Sequence, residues 1–77
     1  MTNTIGITSQ FIKLDAFLKF SGEAETGGHA KILIQDGLVK VNDEICEMRG
    51  KKLYPGDTVA INGNTYQVIK AGLGDNI

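Results

Sequence analysis

Thr-Gly-Gly-His-Ala-Lys-Ile-Leu-Ile-Gln-Asp-Gly-Leu-Val-Lys-Val-Asn, residues Thr26 to Asn42, is the stretch from which the fold is read. The Thr26 hydroxyl can cap a helix, Gly27 and Gly28 bare the backbone of its first turn, and Ala30, Leu33 and Ile34 recur at helical spacing. Gly37 can close that helix in a left-handed conformation. From Leu38 to Asn42 the pattern alternates as a strand does, with Val39 and Val41 facing one way and Lys40 the other. One short helix running directly into one strand is expected, with its lysines on the faces left to solvent or a partner.

Upstream, Ile5 and Ile7 stand at strand spacing within Thr4 to Thr8, after a frayed Met1 to Asn3. Phe11, Leu14, Phe17 and Leu18 then fall at intervals of three and four, the stripe of a helix over about Lys13 to Ser21 that Gly22 ends. The polar link Glu23 to Glu25 is short enough that the two helices should pack together. Downstream, Asn42-Asp43 suits a two-residue hairpin turn between Val39 to Val41 and Glu44 to Cys46. Arg49-Gly50 is a further turn, and Tyr54-Pro55-Gly56-Asp57 has proline and glycine where a type II turn prefers them. Thr58 to Ile61 and Thr65 to Ile69 form a second hairpin around Asn62-Gly63-Asn64, and 71–77 reads as a loose tail. The expected fold class is α+β: a short N-terminal strand, two packed short helices and a small, mostly antiparallel sheet, as a single domain over 1–77.

A chain of 77 residues buries only about 60% of its unfolded surface, which leaves no room for an elaborate internal active site. The hydrophobic fraction of 42% is that of a globular protein, with Phe11, Phe17 and Phe20 expected in the core and Tyr54 more naturally there than at the surface. A lone Cys46 makes no internal disulfide, and with His29 the sole histidine there is no metal-ligand cluster. Neither a signal peptide nor an apolar run near the roughly 18 residues of a membrane span is visible, so a cytoplasmic, monomeric protein without membrane contact is expected. Asp15, Asp36, Asp43 and Asp57 form no recognisable carboxylate pair, and no Ser-His-Asp order or phosphate loop is present. Neither enzymatic activity nor a cofactor is expected, and Asp57 reads as a turn residue bonding local backbone.

The formal net charge of −1 does not by itself suggest a polyanionic partner. Charge is unevenly spread, however: Arg49, Lys51 and Lys52 are the densest basic cluster. On bland readings that loop is a solvated face, His29 and Lys31 are surface residues, and the paired glycines make a tight interhelix turn. On the functional readings the glycines let a phosphate approach backbone amides at a helix N-terminus, and the basic loop contacts a nucleic-acid backbone.

Lys13-Leu14-Asp15, Phe17-Leu18, Gly22, Ala30-Lys31, Leu33-Ile34, Gly37, Val39-Lys40-Val41-Asn42, Leu53 and Gly56-Asp57-Thr58-Val59 together resemble the signature of the S-four (S4) RNA-binding domain. The resemblance runs from about Lys13 to Ile61. It is strongest to small stand-alone bacterial members of the YaaA and YbcJ type, in which the Gly-x-Ala-Lys helix start and the Arg-Gly-Lys-Lys-Leu segment recur. It implies the two-helix fold with its alpha-L motif. It also implies a non-catalytic function in binding structured, ribosomal RNA, or a ribosome-assembly particle. The residues it implies for RNA contact are Thr26, Gly27, Gly28, His29 and Lys31 on the second helix, Lys40 and Asn42 on the strand and its turn, and Arg49, Lys51 and Lys52 on a facing loop. Lys13 stands where many members have arginine, and Gly27 departs from an arginine that many carry. An adaptor docking on a ribosomal or RNA-processing protein is the alternative that the acidic net charge allows.

Overall fold

The computed structural model describes residues 2–71. Its elements are β1 (Thr2–Ile7), β2 (Ile12–Lys13), α1 (Leu14–Ser21), α2 (Gly27–Gln35), β3 (Lys40–Val41), β4 (Glu44–Ile45), β5 (Lys52–Leu53), β6 (Thr58–Ile61) and β7 (Asn64–Lys70). Five strands form one sheet in the order β1-β7-β6-β3-β4, and β2 and β5 form a separate antiparallel ribbon. The expected α+β arrangement is therefore present.

Each boundary has a local cause. Gly22 terminates α1 at φ 89° with its N–H donating to the Lys19 carbonyl, because a residue without a Cβ enters the left-handed region without strain. Asn42 and Asp43 take φ values of 52° and 72°, the turn that matches the right-handed twist of a two-residue hairpin. The Tyr54–Asp57 turn closes as expected, with the Asp57 N–H donating to the Tyr54 carbonyl at 2.9 Å. Asp57 Oδ2 in turn accepts from the Tyr54 N–H at 2.8 Å.

Alternation then sorts the sheet. Val41, Val59 and Tyr66 lie side by side in register and are buried together with Leu14, Phe17 and Leu18 of α1 and Ala30 and Ile34 of α2. The Phe17 ring meets the Tyr66 ring edge-on, 5.9 Å between centroids, a favoured aromatic geometry. Full burial of such side chains contributes about 1.5–3 kcal/mol each. Lys40, Ala60 and Thr65 sit on the opposite sheet face, away from this core, as an antiparallel sheet with one solvated face permits.

Four expectations need correction. β1 begins at Thr2 and pairs parallel with β7 over its whole length, so Thr2 and Asn3 are strand and not frayed; the other three pairings of the sheet are antiparallel, as expected. Ala71 is tied down by its N–H to the Ile7 carbonyl at 2.7 Å; the rest of the expected tail, 72–77, lies outside the described residues. Phe20 is 64% exposed, since it falls about a third of a turn from the centre of the Leu14-Phe17-Leu18 stripe. Tyr54 is 47% exposed because it follows buried Leu53 on β5 and so faces outward.

Candidate nucleic-acid interface

The start of α1 is capped from a distance. Its N-cap residue, Lys13, makes no side-chain cap bond, since an ammonium has no acceptor to offer. Backbone carbonyls of the Arg49 loop act instead: the Leu14 N–H donates to the Lys51 carbonyl at 2.9 Å and the Asp15 N–H to the Arg49 carbonyl at 3.1 Å. The Lys51 N–H closes the loop itself on the Met48 carbonyl at 3.0 Å. Lys13 also stands directly across from Lys52 in the β2–β5 ribbon. Lys13, Arg49, Lys51 and Lys52, all exposed, are thereby brought to one end of one helix.

This placement is unfavourable for the fold on two counts. A helix N-terminus carries partial positive charge and disfavours cations, and like charges directly opposite in a strand pair repel. Asp15, the acid of the first turn, accepts a hydrogen bond from the Ala16 N–H at 2.7 Å.

The start of α2 is built from local parts. Thr26 Oγ1 accepts from the His29 N–H at 3.1 Å, and His29 Nδ1 accepts from the Glu25 N–H at 3.3 Å, a reciprocal cap like that of a capping box. With Nδ1 an acceptor, the neutral ring carries its proton on Nε2. The Ala30 N–H goes to the Thr26 carbonyl at 3.0 Å, which leaves the amides of Gly27 and Gly28 as the donors of this turn without an acceptor among the described residues. A Cβ on Gly27 would meet nothing within 4 Å, and one on Gly28 only Thr26 Oγ1 at 3.9 Å. Neither glycine has positive φ, so neither packing nor backbone conformation demands glycine here. Lys31 is exposed one turn further on.

The remaining candidates are separate from both helix starts. Lys40 lies on the sheet face away from the helices, in register with Ile45 and Ala60. The Asn42 side chain is engaged within the fold: Nδ2 donates to Asp57 Oδ1 at 3.1 Å, while Oδ1 accepts from the Thr58 N–H at 3.0 Å. The loop expected to face α2 instead sends its backbone bonds to the start of α1.

Two features escape sequence reasoning. Glu23, expected as a plain linker residue, accepts hydrogen bonds from Asn62 and Asn64, each at 3.0 Å, and from the Tyr66 hydroxyl. The Tyr66 hydroxyl first, then the Asn62 and Asn64 amides, hold its carboxyl below the usual range against the opposing effect of burial, and the same bond raises Tyr66. The other feature is an aromatic pair with ring centroids 5.9 Å apart, exposed Tyr54 and half-buried Phe11, the latter expected in the core but lying outside the core cluster. Only alternation on the unforeseen β2–β5 ribbon could have signalled it. Cys46 packs partly buried against the core, as expected of a small apolar group. Among the described residues no cluster of three His, Cys, Asp or Glu side chains could hold a metal ion, and no helix is long and apolar enough to cross a membrane.

A family model described as S4 domain matches residues 5–69. The probable ribosome maturation protein RlbA of Bacillus subtilis (strain 168) is 43% identical over 70 residues, covering 90% of this chain and 99% of RlbA. YbcJ of Escherichia coli (strain K12) is 36% identical over 58 residues, 75% of this chain and 83% of YbcJ. The solution structure of YbcJ, described as revealing an alpha-L motif involved in RNA-binding, superposes with a TM-score of 0.63 at 34% identity, over 88% of this chain and 85% of that one.

Proposed function

The chain belongs to the S4 domain family, and from that premise we propose that it is a non-catalytic RNA-binding protein acting in the cytoplasm on ribosomal RNA or a ribosome-assembly particle. The observation that carries this reading is the gathering of Lys13, Arg49, Lys51 and Lys52 at the positive end of α1. Within the fold only the Lys52 ammonium makes a favourable contact among the described residues, with the Phe11 ring, whereas a phosphate backbone would gain charge-assisted hydrogen bonds from the whole cluster. Relatives named for ribosome maturation and RNA binding support the same direction. The bare Gly27 and Gly28 amides supply a second anion site, with recognition resting on RNA shape, phosphate position and 2′-hydroxyls.

The test is to convert Lys13, Arg49, Lys51 and Lys52 together to Gln and titrate ribosomal RNA over a salt series. Affinity should fall, and the log–log salt dependence should flatten by about 0.7–0.9 for each phosphate that the variant no longer neutralises. Unchanged affinity and slope would remove the proposal.

One observation favours a second reading, docking on a ribosomal or RNA-processing protein. Leu38, Ile45 and Met48 are exposed apolar residues, and a groove of about 260 Å³ lined by Ile45, Met48, Glu44 and Glu47 runs along β4. A pull-down of ribosomal proteins that survives nuclease treatment distinguishes it from RNA-mediated association.

A further inference from the structure

The β2–β5 ribbon carries more than charge. Its register pairs Ile12 with Leu53 and Lys13 with Lys52, so alternation turns Ile12 and Leu53 toward the core and sends Phe11, Lys13, Lys52 and Tyr54 to the outer face. Distances agree with that assignment. The Phe11 and Tyr54 rings lie 5.9 Å apart, tilted by 50°, and Lys52 Nζ sits 4.9 Å from the Phe11 centroid.

Tyr54 is also held rigidly. Its N–H donates to Asp57 Oδ2 and its carbonyl accepts from the Asp57 N–H, while Asp57 Oδ1 is fixed by Asn42. Leu53, just before it, is fully buried. An exposed aromatic ring on a fixed turn, beside a cluster of cations, has the two components that a single-stranded nucleotide requires: a face on which a base stacks and charges for its phosphates.

We propose that the outer face of the β2–β5 ribbon is a subsite for one unpaired RNA nucleotide, its base stacked on Tyr54 against Phe11 and its flanking phosphates held by Lys52 and Lys13. This rests on the RNA-binding reading and adds a local selectivity to it. Duplex held only by shape and phosphate contacts offers no free base face, whereas a bulge or loop does. RNA targets with an unpaired nucleotide next to a helix are therefore preferred over continuous duplex. Phe11 acts as the support that keeps the Tyr54 ring from folding back, and Lys52 bridges the aromatic pair to the basic cluster.

The probe is an RNA hairpin with a single bulged 2-aminopurine, compared with the same hairpin fully paired. Wild-type protein should bind the bulged hairpin about tenfold more tightly and quench its fluorescence. Tyr54→Leu keeps an apolar cover over Phe11 but no π-face; it should lose the preference and the quenching while retaining the paired-hairpin affinity, which also reports that it is folded. Tyr54→Phe should behave as wild type. Equal binding of the two hairpins by wild type, or preference and quenching that persist in Tyr54→Leu, overturns the subsite and leaves RNA binding standing. Binding of neither hairpin overturns both.

Discussion

The starts of the two helices solve the same problem in opposite ways. At α2 the capping groups are local: Thr26 and His29 exchange hydrogen bonds with their own turn and its approach, and two glycine amides are left bare. At α1 the capping carbonyls arrive from Arg49 and Lys51, more than thirty residues on, and bring cations with them. The first arrangement leaves backbone for an anion; the second uses its backbone and leaves side chains. Any phosphate at α2 is thus held by short-range amides and any at α1 by charge, so the two starts should respond differently to salt.

The largest expected stability effect lies between them. Glu23 fastens the interhelix link to the β6–β7 hairpin through Asn62, Asn64 and Tyr66. Glu23→Ala should destabilise the protein by about 2 kcal/mol in denaturant unfolding and speed amide exchange at the start of α2 more than at the start of α1. Because the folded carboxyl is held below its ordinary range, its contribution is complete at neutral pH and is lost as pH falls through that depressed value. The variant should lack this part of the acid dependence. Equal protection changes at both helix starts would show that the two are not independently anchored.

A smaller effect separates helix propensity from binding. Gly28→Ala should raise stability by about 0.5 kcal/mol or more, since the new methyl meets only Thr26 Oγ1 at 3.9 Å. RNA affinity should nevertheless fall, with the salt slope unchanged. A variant that is more stable and binds as well as wild type would leave the α2 glycines without a role in phosphate approach.

The smallest effect concerns Lys13, which caps nothing and opposes Lys52. Lys13→Gln should stabilise the fold by a few tenths of a kcal/mol, about what one like-charge strand pair costs. It should also shallow the salt dependence of RNA binding by an amount equivalent to roughly one phosphate. A loss of stability instead would mean that Lys13 supports the ribbon in a way its hydrogen bonds do not reveal.

Much of the fold is legible from local pattern. The Thr26 cap, the left-handed Gly22 and Gly37, the Asn42-Asp43 hairpin and the inward Val39 and Val41 all depend on residues within a few positions of one another. The ordered signature between Lys13 and Ile61 likewise points to the S4 family from residue order alone. Phe20 and Tyr54 run against expectation because size and hydrophobicity favour a core that helix phase and strand parity do not allow. Asn42 matches the family's binding pattern, yet its amide bonds to Asp57 and Thr58 across the fold.

By itself, then, the sequence determined the two helices, the hairpin strands, the turns and the family, since these follow from backbone preferences and spacing that act over one or two turns of chain, whereas the β2–β5 ribbon did not show in it. Tertiary structure alone decided where the charge goes. The Arg49 loop reaches α1 and not α2, Lys13 meets Lys52, β1 returns to lie along β7, and Glu23 finds partners about forty residues away. Each of these joins residues remote in sequence, where hydrogen-bonding capacity shows that a partner is needed and only the packed chain determines which partner is within reach.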